Sequence, residues 1–293
     1  MTYRVRHVTT YDYEDPVSVS HHIVRLTPHN SQRQTCNYAT VTITPQPSSR
    51  SRHIDYFGNT ITLFTLLEPH DRLVIEADSE IDVSALNPPD PARSAPWESV
   101  RGLLPVARTE EELNACQYVF DSRRVAARPE LADYARESFP AERPLIEAAL
   151  DLTRRINRDF RFDSKATEVS TPVETFFEKR RGVCQDFSHL QIACMRSLGL
   201  PARYVSGYLR TYPPPGQPRL VGADASHAWC AAWCPGVGWV DFDPTNNCMP
   251  SDGHITVAVG RDYSDVSPVY GVLLGGADHH LDSGVDVMPL SSS

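Results

Sequence analysis

Along residues 1–83 the hydrophobic positions recur at every second residue, in stretches such as Tyr3-Val5-His7, Val41-Ile43 and Leu73-Ile75-Ala77. A period of two sends alternate side chains to opposite faces of an extended chain, so these stretches predict strands with one buried face. Turn signals separate them, notably Asp55-Tyr56-Phe57-Gly58-Asn59, and several short strands spaced in this way predict an antiparallel β-sandwich. The pattern breaks at Asn87-Pro-Pro-Asp-Pro-Ala-Arg-Ser-Ala-Pro96, where repeated prolines remove the donors that a ladder or a helix needs.

From Glu110 the period turns helical over 110–120, 130–139 and 144–159, the last grouping Leu145, Leu152 and Ile156 on one apolar face. For the next helix the predicted cap is Thr171, with Pro172 at the first position, Glu174 closing a capping box and Gly182 as the stop. A further helix is expected from Cys184 to Leu198, with Phe187, Leu190, Cys194 and Leu198 turned to the core and Gly199 ending it. Strand patterns return after Pro201, at 203–209, 226–233, 239–242, 254–259 and in later segments. Helices followed by strands, without βαβ alternation, indicate an α+β fold. The expected division is 1–84 for the N-terminal sandwich, 85–145 for a proline-rich linker and helices, and 146–293 for a second domain that keeps the C-terminal strands.

Composition narrows the function classes. The chain has 293 residues, 41% of them hydrophobic, and a net charge of −9 without a basic run, which argues against a nucleic-acid partner. No run of about 18 uncharged apolar residues occurs, and the first residues lack the apolar stretch of a signal peptide, so the expectation is a cytoplasmic protein with no membrane partner. Seven cysteines are an odd and sparse set, consistent with reduced thiols.

One of them has the setting of a nucleophile. Cys184 follows Arg180-Arg181-Gly182-Val183 at the start of a predicted helix, where unpaired N–H groups and the helix dipole favour a thiolate. A small buried hydrophobe beginning a core helix is the commoner fate of a free cysteine. A thiol nucleophile needs a base, and the base an orienting acceptor. His227, in Ser226-His227-Ala-Trp229, and Asp243, in Asp241-Phe-Asp243-Pro-Thr245, supply both on successive strands. Taken singly, the one reads as a half-buried histidine and the other as a turn residue before proline. Direct opposition of the two requires a hairpin loop of odd length centred on Pro235; an even loop would put them on opposite faces.

Gly182-Val-Cys184-Gln-Asp-Phe-Ser-His189-Leu190, Ser226-His227-Ala-Trp229 and Gly238-Trp239-Val-Asp-Phe-Asp243-Pro-Thr245 together resemble, in order, the three core motifs of the bacterial transglutaminase-like superfamily. Thr9-Thr-Tyr11-Asp-Tyr13, Arg25-Leu26-Thr-Pro28 and Asp55-Tyr-Phe-Gly-Asn59 are similar to the β-rich region that precedes this core in many bacterial members, and Gly260-Arg-Asp-Tyr263-Ser-Asp-Val266 resembles a later motif. The resemblance implies a papain-like transglutaminase core, with helices packed on an antiparallel sheet within 146–293. It also implies a triad of Cys184 as nucleophile, His227 as base and acid, and Asp243 orienting the imidazole. The implied chemistry is acyl transfer or hydrolysis at a carboxamide or peptide bond through a thioester. Its partners would be a protein or peptide substrate and, for transfer, a primary amine. A peptidase or amidase, and a catalytically silent binding module on the same fold, are the alternatives. The Cys184 N–H is the expected oxyanion donor.

Other candidates carry less. Cys230, Cys234, Cys248 and His254 could supply four zinc ligands, but residues four apart on a strand are separated by about 13 Å, and no cofactor or metal is assigned; an EF-hand loop is also lacking. His189 reads as a packing or hydrogen-bonding residue, Asp241 as a competitor for His227, Asp262 and Tyr263 as rim residues, and His279-His280 as exposed polarity. Trp229, Trp233 and Trp239 read as core. Lys165 and Lys179 are the only lysines among 28 basic residues, so a crosslinking enzyme of this sequence would be a poor acceptor for its own reaction; a preference for arginine codons explains the same bias.

Overall fold

The structure, a computed structural model, describes residues 1–84, 88–211 and 225–290, with the side chain of Ala225 left out; Asn87 and Asp224 lie outside these residues. The first part is β-rich: β1 (Thr2–Val24), β2 (Gln34–Thr44), β3 (Ser49–Ile54), β4 (Thr60–Leu66) and β5 (His70–Val83). Helices α1 (Trp97–Leu103), α2 (Glu110–Cys116), α3 (Pro129–Arg136) and α4 (Leu145–Asp159) follow. Next come β6 (Arg161–Phe162), α5 (Val173–Lys179), β7 (Arg181–Gly182) and α6 (Cys184–Ser197). Four strands, β8 (Ala202–Leu209), β9 (Ala225–Cys234), β10 (Gly238–Phe242) and β11 (His254–Gly260), precede the short α7 (Tyr263–Val266) and the last strands, β12 (Val269–Gly275) and β13 (His279–Leu290). Among the described residues no helix is long and apolar enough to cross a membrane.

The expected N-terminal sandwich is made by one antiparallel sheet curled on itself. Its path is β2-β5-β1-β4-β3, with β12 and β13 also paired to β1. The 23-residue β1 changes neighbours along its length: Thr2–Asp12 lie between β5 and β13, whereas Ser20–Val24 lie between β4 and β12. The β5 ladder is interrupted between Asp12 and Val17, a stretch that includes Pro16, which has no N–H to donate. The two halves enclose Val17, Phe64, Leu66, Leu73 and Ile75. The topology corrects the placement of the C-terminal strands: residues 269–290 complete the N-terminal sheet, pairing with β1 instead of staying with the 146–293 core. An edge left open on so long a strand would expose a row of unpaired backbone groups.

The other body packs α6 against a four-stranded antiparallel sheet of order β10-β9-β8-β11. Leu145, Leu152 and Ile156 of α4 are buried as their spacing requires, and so are Phe187, Leu190, Cys194 and Leu198. The start of α5 differs from expectation. Pro172 is its N-cap, and Thr171 instead accepts a hydrogen bond from Glu168 N (2.9 Å). The helix stops at Arg180, in the left-handed region (φ 58°), whose guanidinium lies over the rings of Phe160 and Phe177. Gly182 has another role: a Cβ there would come within 2.4 Å of Asp186 Oδ2 and 2.8 Å of the Phe176 ring. Only glycine lets the chain pass this closely before α6 begins.

The β9–β10 hairpin decides the register of the candidate site. Cys234 pairs with Gly238 and Cys230 with Phe242, so the loop is the odd-length Pro235–Val237. It centres on Gly236 (φ +73°), one residue later than direct opposition of His227 and Asp243 requires. The two side chains therefore share a face as diagonal neighbours, still within reach for long side chains.

Candidate active site

Cys184 occupies the first turn of α6, held there by Asp186, whose Oδ2 accepts from Val183 N (2.8 Å) and from the Thr167 hydroxyl (2.6 Å). Its orientation also depends on α6 being buried along its length, from Gln185 to Arg196. The polar residues of that helix are satisfied locally: Gln185 Nε2 donates to Val169 O, Gln191 bonds Thr153, and Arg196 donates to Ala202 O and Arg261 O. His189 accepts from Tyr263 N at 3.1 Å and packs its ring against Tyr204, the hydrogen-bonding role expected of it.

His227 and Asp243 meet as the odd loop allows, His227 Nε2 lying 2.7 Å from Asp243 Oδ2. His227 and Cys184 line the same cavity, and the thiol is near enough to help raise the His227 pKa. The three residues picked from the sequence are thus brought together in the order thiol, imidazole, carboxylate. Burial disfavours the imidazolium, but Asp243 and Cys184 outweigh it and push the His227 pKa up to about 10. Asp243 is fully buried; burial opposes its charge, yet hydrogen bonds from His227, His254 and Asn246 hold its carboxyl well below the usual range.

Sequence reasoning missed much of what holds Asp243. Its Oδ1 accepts from Thr245 N and Asn246 N (3.0 and 3.1 Å), while Oδ2 also receives Asn246 Nδ2 (2.7 Å) and His254 Nε2 (3.1 Å). His254 Nδ1 accepts from Ser251 N (3.3 Å), which leaves the ring proton on Nε2, aimed at Asp243. From α4, Asn157 Nδ2 reaches Pro244 O and Thr245 O, and Cys248 pairs with Asp243 through the backbone. The rival for a member of the triad is therefore a second histidine on Asp243, not Asp241 on His227: Asp241 stands opposite Ala231 within the hairpin ladder. The signal was in the sequence only as a histidine opening a strand. Among the described residues the four thiol and imidazole groups weighed for zinc do not gather: Cys230 and Cys234 bond nearby carbonyls, and His254 joins His227 and Asp243.

A cavity of about 310 Å3 opens over Cys184 and His227, with Tyr204 and Tyr263 in its walls. Tyr263 is thus at the rim as expected, while Asp262 is buried and caps α7 through Ser264 N. Trp229 and Trp233 are core, with Trp229 edge-on to His254. His279 and His280 are exposed.

A thiol on a helix tip, packed against an antiparallel sheet that presents imidazole and carboxylate, defines a papain-like thiol-enzyme architecture. The comparisons agree with it. The bacterial transglutaminase-like N-terminal region matches residues 3–82, and the transglutaminase-like superfamily core matches residues 132–244. An uncharacterized protein of Mycobacterium tuberculosis is 41% identical over 98% of this chain and 92% of its own length; one from Mycobacterium leprae is 34% identical over 98% and 99%. A protein-glutamine gamma-glutamyltransferase of Pseudomonas aeruginosa is 32% identical over 41% of this chain and 18% of that protein. The crystal structure of a candidate cysteine protease from Cytophaga hutchinsonii has the same fold, with a TM-score of 0.78 at 20% identity, covering 100% of this chain and 92% of that one. The chain belongs to the bacterial transglutaminase-like superfamily, whose members are cysteine-dependent enzymes.

Proposed function

We propose that this protein forms and resolves a thioester on Cys184, transferring an acyl group from a carboxamide or peptide bond to a primary amine or to water. The observation that carries the reading is that Cys184 and His227 line one cavity while His227 is hydrogen-bonded to a buried Asp243. With the imidazole held protonated by its two partners, the thiolate attacks the carbonyl carbon. His227 gives its proton to the departing nitrogen as the C–N bond breaks, leaving the thioester and a neutral imidazole. An amine or a water then attacks the thioester, His227 takes its proton, and the thiolate leaves. Our choice of oxyanion donor is the Cys184 N–H, since the first N–H groups of a helix have no intrahelical acceptor. The seven unpaired cysteines suit a reducing compartment such as the cytoplasm.

The test is to incubate the protein with a glutamine-bearing peptide and a labelled primary amine. A new amide identifies a transferase, free acid with release of ammonia an amidase, and a cut backbone a peptidase; each must vanish in Cys184→Ala. A silent binding module gives no product, and its Cys184 is alkylated no faster than in His227→Ala at any pH. That pair of results would end the enzyme reading.

A further inference from the structure

The cavity over Cys184 is not built by the α6 body alone. His7, Thr9 and Tyr11 of β1, and Leu281 and Ser283 of β13, line it as well. Register explains how. Thr9 faces Ser283 and Tyr11 faces Leu281 across the β1–β13 ladder, and a period of two puts these four with His7 on one face of the ribbon that the two strands form within the larger sheet. Further along, the same face carries Tyr3, Val5, Val285 and Val287, packed on Tyr208, Ile255 and Val257 of the catalytic sheet. So one ribbon face is first glue and then wall. Its character changes at that point, from buried aliphatics to a hydrogen-bonded polar group and an open apolar mouth.

The polar group is His7. Its Nδ1 lies 2.9 Å from the Tyr208 hydroxyl, and its Nε2 lies 3.0 and 3.1 Å from the Ser283 and Thr9 hydroxyls. Burial keeps the ring neutral by lowering its pKa to about 4. At the mouth, Leu281 is 51% exposed, opposite Tyr11 on the β1–β13 ladder. Among the described residues lining the cavity none is Asp, Glu, Lys or Arg. Away from the His227–Cys184 pair, a charged side chain laid against the described β1 and β13 residues of this wall would give up water without gaining a counter-charge from them, whereas an aliphatic or aromatic one would cover Leu281 and Tyr11.

We propose that the β1–β13 ribbon is the substrate-recognition wall of this site and selects acyl donors whose residue next to the reactive carboxamide is uncharged and apolar. This rests on the thioester reading above and gives the N-terminal sheet its function. Three glutamine peptides that differ only in that neighbour (Leu, Asp or Lys) test it. The expected result is a kcat/KM about tenfold higher for the Leu peptide than for either charged one. Leu281→Asp should bring the Lys peptide above the Asp peptide, and Leu281→Lys should reverse that order. If Leu281 variants fail to fold, as judged by circular dichroism and melting, Ser283→Asp and Ser283→Lys make the same pair. An unchanged ranking in folded variants, with the wild type turning the peptides over, overturns the wall and leaves the thioester chemistry standing. No product from any peptide with the wild type, and Cys184 alkylated no faster than in His227→Ala, removes both.

Discussion

In the seven-stranded sheet, burial follows alternation: Tyr3, Val5, Val41, Ile43, Leu73, Ile75 and Ala77 are inside, and the positions between them are more open. Helix α6 has no such exposed face. From Gln185 to Arg196 each of its residues is buried, and Asp186, His189, Gln191 and Arg196 are paired inside the body. The sheet is thus defined by which side chains leave water, whereas α6 is defined by polar bonds that fit one placement. Non-directional burial tolerates some repacking, and a buried polar group left unpaired is costly. The reactive thiol stands on the element whose position is the more narrowly specified, as a catalytic group needs.

The comparison can be broken at several points. Cys184→Ala should have the largest effect, lowering turnover by about 10^4-fold or more while leaving the unfolding midpoint near that of the wild type; steady-state kinetics with the glutamine peptide and a denaturant titration check both halves. Ile75→Ala, in the centre of the sheet, should cost about 2–5 kcal/mol of stability through the cavity it leaves, with Cys184 in the folded fraction alkylated at the wild-type rate. Asp186→Ala should cost less, about 1–3 kcal/mol, because it strands Val183 N and Thr167. Unlike Ile75→Ala it should also slow Cys184 alkylation, and equal alkylation in the two variants would contradict the contrast drawn here.

His254→Leu should lower kcat by about 10–100-fold with KM unchanged, since it removes one of the donors on Asp243. His254→Gln, which keeps an N–H donor, should recover part of the loss; a purely space-filling role would favour leucine equally. The last prediction concerns pH. His227 has a folded pKa raised from 6.5 to about 10, so its contribution to stability is complete below 6.5 and is lost as pH rises through about 10. Asp243 is shifted down, so its contribution is present above the ordinary carboxylate value near 3.8 and is lost as pH falls below it. The stability difference between wild type and His227→Ala should therefore be largest between these limits and shrink on either side, as read from unfolding curves across the range.

Much of the site was legible because its signals are local. A helix start before Cys184, and a histidine and an aspartate on successive strands joined by a Pro-Gly-Val-Gly loop that permits an odd length, can be read from periodicity and turn chemistry. The centre of that loop was not, because Pro235, Gly236 and Gly238 each fit a tight turn and only the packed hairpin selects one register. The role of Gly182 was misread for a similar reason, and that of Arg180 was not foreseen. A glycine after a helix looks like a stop, but here the approach of Asp186 and Phe176 demands it, while aromatic rings support the arginine in the left-handed conformation.

The amino-acid pattern alone indicated which residues face inward, the α+β class, and Cys184, His227 and Asp243 as candidates, since face and local capping depend on neighbours along the chain; their grouping as a triad came from the resemblance to the three family motifs. Tertiary structure alone decided that His254 lands on Asp243, and that β13 returns to β1 so that Ser283 meets His7 across 276 positions of sequence. A strand's alternation states which of its faces is buried and is silent about its partner. That choice comes from the edges, volumes and polar groups left to satisfy once the whole chain is folded.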